Sequence, residues 1–422
     1  MTGGRRAGTG AVLIPVLMVV MALLGTACAS TQEVRAVRPL PPPTVATTTT
    51  APTTTVPSAV PTTVPTPVVP VVGWSAPATT LPPAGGFTSA SCISDVFCLA
   101  AGGGANEADA SGSTGPGVVS SWDGDTWMPA ATYFAAPADG PTTAPELPAI
   151  ACTDGPRCAV VDGSGHTTLG DGTTWTPPTP LASAAVAAAD PSDTGPDHPG
   201  SRSAAVACPT SQFCAYVDNT GHVATLNGTT WTAPQSMTAR VGSATVDLFQ
   251  TGRVGIACAD ETSCTAIVGG TDLDYDGTSW TAGPAPWPAS TSGATAVSCP
   301  EPGTCLAVQG STASIRTPGS SWSLPRVIDA NGQLDALSCP TTTFCMAADA
   351  YGNVVHLTGG SWSVPSKVVP TPVDYSADGT SVSCPTDQFC LVLNADGDYA
   401  IFQGSDPTPA STLPPTTTVP AS

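Results

Sequence analysis

Cysteine is the residue with the most chemistry to offer in this 422-residue chain, and fourteen of its fifteen copies fall into seven pairs with five residues between partners. The pairs are Cys92/Cys98, Cys152/Cys158, Cys208/Cys214, Cys258/Cys264, Cys299/Cys305, Cys339/Cys345 and Cys384/Cys390. Such a pair can close a hairpin disulfide or supply two thiolates to a metal. A closed zinc site needs four ligands, so a lone pair serves it badly. Seven disulfides in an oxidising compartment are expected instead, with no metal. Each would close a short loop worth about 2 kcal/mol in chain entropy and act within one hairpin. Tryptophans and aliphatic strand residues, and not the cysteines, are then expected to join one repeat to the next.

Cys28 is the cysteine left over. Arg5 and Arg6 precede an apolar run from Ala11 to Leu24, and Leu24-Gly25-Thr26-Ala27-Cys28 follows. The run suits a signal-peptide core better than a mature transmembrane helix. LGTAC resembles a bacterial lipobox, and that resemblance implies diacylglycerol on the Cys28 thiol, cleavage before it and further acylation with a chain such as palmitate.

Other candidate chemistry is sparse. Asp272, Asp274, Asp276 and Gly277 spell the start of a calcium loop, but Gly283 stands where the twelfth-position carboxylate belongs. Alternate residues of a strand running into a hairpin turn explain the spacing better, and the same holds for Asn394, Asp396 and Asp398. His166 and His222 follow a turn glycine at equivalent repeat positions and are expected as exposed strand-end residues. No Ser-His-acid set or G-x-S-x-G elbow stands out. DGDTW at Asp123, DGTTW at Asp171 and DGTSW at Asp276 are similar to the Asp box of sialidases, with one residue fewer between Asp and Gly. A sialidase site would also need three converging arginines, for which Arg157, Arg202, Arg240, Arg253, Arg316 and Arg326 are candidates. No catalytic residue, metal ligand or cofactor is assigned.

These residues are carried by one unit used seven times. First cysteines recur at intervals of 60, 56, 50, 41, 40 and 45 residues, a period of propeller blades. Four strands per unit are expected. One ends at the first cysteine (AVAC, AVSC, ALSC, SVSC) and one starts at the second (FCAYV, FCMAA, FCLVL). A third follows a Gly turn (HVATL, NVVHL, DYAIF), and a fourth carries Trp (TWTPP, TWTAP, SWSVP). The last unit lacks its Trp strand, while an orphan VVGWSAP with Trp74 precedes the first unit. The fold class is therefore all-β: a seven-bladed β-propeller whose N-terminal strand closes the last blade, with one hairpin disulfide per blade. Closure removes the sheet edges that invite aggregation. The units resemble secreted bacterial β-propeller repeats that pair a C-x5-C hairpin with a Gly-x-x-Trp strand, which implies a rigid extracytoplasmic platform.

Four regions follow: 1–28, a lipoprotein signal peptide and lipobox; 29–70, a Pro/Thr-rich disordered stalk; 71–406, the propeller; and 407–422, a Pro/Thr-rich disordered tail. In polyproline II form the stalk would reach on the order of 100 Å. Gly102 to Pro116 should expand the loop after the second strand of the first blade, and Pro177 to Ser203 should lengthen the link from second to third blade.

The chain has 31 acidic and 11 basic residues, and only Glu33, Arg5, Arg6, Arg35 and Arg38 of these lie outside 71–406. That field disfavours nucleic acid and anionic lipid as partners of the ring. The expected protein is a monomer on the outer face of a bacterial cytoplasmic membrane, held there by its lipid anchor alone. It presents the ring to a cell-envelope glycan or protein. A sialidase-like glycan hydrolase and a purely structural spacer are the alternatives. Convergent arginines and carboxylates in the central funnel would favour the hydrolase, whereas Trp or Tyr such as Trp122, Tyr133 or Trp287 exposed on one rim would favour glycan binding.

Overall fold

The computed structural model describes residues 73–404 apart from 80–86, 106–113, 135–147, 154, 156, 163–164, 182–202, 219–220, 238–253, 269, 289–294 and 373–379. The segments expected as signal peptide, stalk and tail lie outside the described residues, as do Cys28, Arg202, Arg240 and Arg253.

All regular structure described is β. Seven antiparallel sheets of four or five strands follow one another along the chain. Blade 3 shows the plan: an inner strand Ala204–Thr210, then Phe213–Asp218, His222–Asn227 and an outer Thr230–Trp231, with Gln235–Ser236 pairing further along the third strand. The second strands are apolar without alternation because both their faces are buried. In blade 3, Phe213, Ala215 and Val217 pack towards blade 4, while Cys214 and Tyr216 pack towards blade 2. The same division repeats, so the seven apolar clusters lie between blades.

Blade 7 is completed by the chain's other end. Ala78 and Thr79 pair with Tyr399 and Asp398, and Trp74 bridges Phe402. Gln403 donates its N–H to Gly73 O at 2.8 Å, Ser75 donates to Ile401 O at 2.8 Å, and the Trp74 and Phe402 rings sit 5.5 Å apart.

The seven disulfides join the expected partners: Cys92 to Cys98, Cys152 to Cys158, Cys208 to Cys214, Cys258 to Cys264, Cys299 to Cys305, Cys339 to Cys345 and Cys384 to Cys390. Their Cα separations are 3.9–4.1 Å. So short a separation marks a non-hydrogen-bonded cross-strand pair, in which each cysteine's N–H points away from its partner strand. That direction matters for the ring, because the first cysteine's N–H faces the preceding blade.

The expectation that the cysteines act only inside their own hairpins is corrected by their packing. Every second cysteine is buried in the seam with the preceding blade. Cys98 lies with Leu391 of blade 7, Cys158 with Leu99 of blade 1, Cys214 with Ala159 of blade 2 and Cys264 with Phe213 of blade 3. Cys305 lies with Ile267 of blade 4, Cys345 with Leu306 of blade 5 and Cys390 with Phe344 of blade 6. The reason is positional: the second cysteine sits on the second strand, whose two faces are both covered by neighbours, so its sulfur becomes apolar filling between blades.

Two further expectations need correction. The fourth strands are broken. Just past Trp231 and Trp362 the N–H groups of Thr232 and Ser363 still donate to Thr225 O and His356 O at 2.8 and 2.9 Å. The N–H groups of Thr225 and His356, however, go to the Thr232 and Ser363 hydroxyls, and Pro234 and Pro365 follow with no N–H to donate. Blade 4 has Ala282-Gly283 before its proline and keeps a continuous Trp280–Pro284 strand. In blade 1 the ends of the insertion are paired rather than looped, giving nine-residue strands Phe97–Ala105 and Thr114–Trp122 with Ala105 opposite Thr114.

Candidate functional site

The inner strands of all seven blades converge on a central channel with a cavity of about 230 Å³. Two positions of each inner strand decide its character, those one and three residues before the first cysteine. Where the nearer position is serine, its hydroxyl accepts the N–H of the next blade's first cysteine. Ser91 accepts from Cys152 at 2.9 Å, Ser298 from Cys339 at 2.9 Å, Ser338 from Cys384 at 2.9 Å and Ser383 from Cys92 at 2.8 Å. One step up, Ser89 accepts from Ile150 at 3.1 Å and Ser381 from Ala90 at 2.9 Å. Blades 2, 3 and 4 instead carry Ala151, Ala207 and Ala257, with Ala149, Ala205 and Gly255 above.

The channel therefore has two unlike walls. On blades 6, 7 and 1 Asp335, Thr380, Ser381, Thr88 and Ser89 line it beside the aliphatic Ala90, Ala336, Leu337 and Val382; on blades 2 to 5 the lining is aliphatic apart from the buried Ser203. Asp335 is the one charged side chain among the described lining residues. It sits where the register shifts between Leu334 and Ala336, and the Thr380 N–H donates to its Oδ2 at 3.3 Å. Thr88 occupies the corresponding shift in blade 1 and donates its hydroxyl to Pro148 O at 2.8 Å.

At the turns after the second strands, four blades share a buried Asx residue whose Oδ1 accepts the N–H four residues on. The pairs are Asp162/His166, Asp218/His222, Asp349/Asn353 and Asn394/Asp398, at 2.7–2.9 Å. Both histidines begin their strands, as expected, with His166 exposed at 46 % of its side chain, and each is also tied to its turn carboxylate. His166 Nδ1 lies 3.3 Å from Asp162 and His222 Nδ1 lies 3.4 Å from Asp218, and His222 keeps only 19 % of its side chain exposed. The carboxylate hydrogen bond pushes both imidazoles above their ordinary value against the effect of burial. Asn353 and the Asn394/Asp398 pair fill the same place elsewhere, which identifies these contacts as turn architecture.

Asp272 and Asp274 do lie on a strand, Thr271–Tyr275, and they hold a cation from the protein itself. Arg316 of blade 5 reaches into blade 4, with Nη1 2.6 Å from Asp272 Oδ2 and 2.8 Å from Asp274 Oδ2, and Nη2 2.7 Å from Asp274 Oδ1. Trp322 stacks under the guanidinium at 4.9 Å and donates Nε1 to Asp272 Oδ2 at 2.8 Å. Asp272 Oδ1 is buried with no hydrogen-bond partner. Burial, with Asp274 alongside, raises the Asp272 carboxyl to about 6 despite the arginine.

The Asp box-like turns are exposed structural caps. Asp123, Asp171 and Asp276 each accept two backbone N–H groups, two and three residues ahead, at 2.7–3.0 Å. Those bonds lower all three carboxyls. Of the other described arginines, Arg157 bonds Ser211 O at 2.7 Å, tying blade 2 to blade 3, and Arg326 lies exposed on the short outer strand of blade 5.

The aromatics whose exposure on a rim would favour glycan binding are inside. Trp122, Tyr133 and Trp287 retain 5 %, 4 % and 7 % exposure. Trp122 donates to Asp95 O at 3.0 Å, and Trp287 to Thr312 Oγ1 of the next blade at 2.9 Å. A large ring recovers most by burial in an inter-blade core. Sequence reasoning missed the serine contacts, although the alternation of Ser-Cys with Ala-Cys at the repeat's first cysteine was a visible signal.

No family model matches the chain, and no curated protein matches it. Solved structures do. The chain is similar to YCF48 bound to D1 peptide, at 13 % identity and TM-score 0.50, over 80 % of this chain and 99 % of that one. It is also similar to virginiamycin B lyase from Staphylococcus aureus with quinupristin, at 8 % identity and TM-score 0.53, over 78 % of this chain and 99 % of that one. At such identities the likeness shows the seven-bladed propeller and nothing finer.

Proposed function

We propose that the protein is a lipid-anchored extracytoplasmic binding module. Cys28 carries the lipid, residues 29–70 raise the ring from the membrane, and the ring receives an envelope protein or glycan. The seven disulfides support an oxidising location outside the cytoplasm.

The observation that carries the binding reading is the channel: a preformed cavity with one polar and one aliphatic wall, on which all seven blades converge. Burial of Trp122, Tyr133 and Trp287 removes these three as stacking platforms for a glycan. The hydrolase reading gains nothing from Arg316, whose guanidinium is spent between blades 4 and 5.

The test is an affinity experiment with the full chain in detergent, oxidised, against envelope proteins, glycans and cell-wall fragments. Retention of one component unchanged supports the reading, product release replaces it with an enzyme, and silence favours a spacer. Metabolic labelling with a fatty acid tests the anchor: label lost in Cys28→Ala supports lipidation, and label retained there refutes it.

A further inference from the structure

The channel's aliphatic lining is polar in its backbone. In the seams from blade 7 to 1 and from 1 to 2, the N–H of the residue two before the first cysteine leaves its own sheet and meets a serine of the preceding blade. Ala90 donates to Ser381 Oγ at 2.9 Å and Ile150 to Ser89 Oγ at 3.1 Å. The corresponding residues of blades 3 to 7 are Val206, Ile256, Val297, Leu337 and Val382, and all five line the cavity. In the place of the serine their preceding blades carry Ala149, Ala205, Gly255, Ala296 and Ala336, whose side chains hold no acceptor. Among the described residues nothing accepts these five N–H groups. Ile256 is half-buried and the other four are buried, where an N–H is almost always paired.

In an antiparallel ladder the C=O of such a residue points the same way as its N–H, so each of these inner strands brings one donor and one acceptor to the cavity. Water matches that pair: its oxygen accepts the N–H as a serine oxygen does, and its protons reach carbonyls. A cavity of about 230 Å³ has room for one water at every seam, since a single molecule needs about 10–15 Å³. We propose that the channel binds ordered water at the five seams from blade 2 to blade 7, one molecule accepting the N–H of each of Val206, Ile256, Val297, Leu337 and Val382. Each stands where the Ser89 and Ser381 hydroxyls stand in the other two seams. These waters are bound whether or not a partner enters the channel. A ligand that does enter must reproduce their hydrogen bonds or lose affinity by displacing them.

The test is a high-resolution crystal structure of the full chain, with a second data set collected under xenon. A solvent peak within about 3.2 Å of each of the five nitrogens, and no xenon beside them, is the expected result. An apolar void stays dry and takes xenon, so xenon on the wall formed by Ala205 and Ile256 overturns the proposal. Solvent gathered only on Asp335, Ser203 and the serine hydroxyls overturns it as well. Two variants exchange hydroxyl for water. Ala205→Ser places an acceptor before the Ile256 N–H and should remove that one peak while the other four stay. Ser381→Ala withdraws an acceptor and should add a peak at the Ala90 nitrogen. A peak that persists unchanged at Ile256 in the first variant, or none gained at Ala90 in the second, shows that water does not take the serine's place and overturns the assignment.

Discussion

Ser383 Oγ lies 2.8 Å from the backbone nitrogen of Cys92, 291 residues away in sequence, and accepts its N–H. The hydroxyl of the last blade thereby fastens the first. The same contact recurs after blades 1, 5 and 6, where a serine again precedes the cysteine. Disulfides secure each inner hairpin and place one sulfur in the seam beside it, and these hydroxyls, with the apolar clusters, secure blade to blade.

Ser383→Ala should therefore cost about 1 kcal/mol, leaving the Cys92 N–H without its acceptor. The converse substitution, Ala207→Ser, sets a hydroxyl towards the Cys258 N–H where the ring has none and should add about 0.5–1 kcal/mol. Urea unfolding of both variants measures the difference, and a null effect in both would remove the hydroxyl contacts from the account of ring stability.

The buried ion cluster makes a second prediction. Arg316→Met strands Asp272, at 7 % side-chain exposure, beside Asp274 with no compensating charge. A loss of about 3 kcal/mol is expected, below the largest values for buried pairs because Asp274 is 44 % exposed. Arg316→Lys should recover little of it, since an ammonium cannot span both carboxylates as the planar fork does. Calorimetric unfolding of the two variants provides the check.

Stability should rise on acidification from pH 8 towards 5. The Asp272 carboxyl is raised to about 6, so the folded state takes up a proton that the unfolded state does not yet hold, and stability grows as pH falls through 6 to the unfolded value near 4. The gain is on the order of 2 kcal/mol. His166 and His222 act in the same direction: their folded values are raised, so their contribution is complete below the unfolded value of 6.5 and disappears as pH climbs through the folded one. Below about pH 4 the lowered Asp123, Asp171 and Asp276 reverse the trend as they protonate. Melting temperature against pH, repeated on Asp272→Asn, should show the slope between 6 and 4 flattened in the variant.

Gly352 supplies a local test. Its φ is +82°, and a Cβ there would stand 2.5 Å from Val369 O. Gly352→Ala should destabilise by more than the about 1 kcal/mol of a surface change, with early hydrogen exchange in blade 6, whose third strand follows this turn at Asn353–Thr358.

Much of the fold was legible because it is local. A cysteine pair six residues apart, a Gly turn and a Trp at constant spacing specify hairpins whose partners are near in sequence, and the missing Trp at one end with Trp74 at the other announced closure. The fourth strands were misread because the hydroxyl of the Thr or Ser after the Trp takes the third strand's N–H, and a proline without a donor follows, which together outweigh the β-friendly residues around them. The placement of Trp122, Tyr133 and Trp287 was not legible, because such residues look alike in sequence whether they face water or the next blade. The second cysteines, Cys98 to Cys390, showed their partners in the spacing but not the neighbouring blade against which their sulfurs pack.

The sequence by itself determined the number of blades, their disulfides and the way the ring closes, since each follows from short-range geometry repeated seven times. Only the tertiary structure decided what the repeats do to one another. It set Arg316 between Asp272 and Asp274 more than forty residues away, turned Ser383 to Cys92, and gathered Asp335 and Thr88 on one wall of the channel. Those meetings depend on the curvature that brings neighbouring blades into contact, and no interval along the chain encodes it.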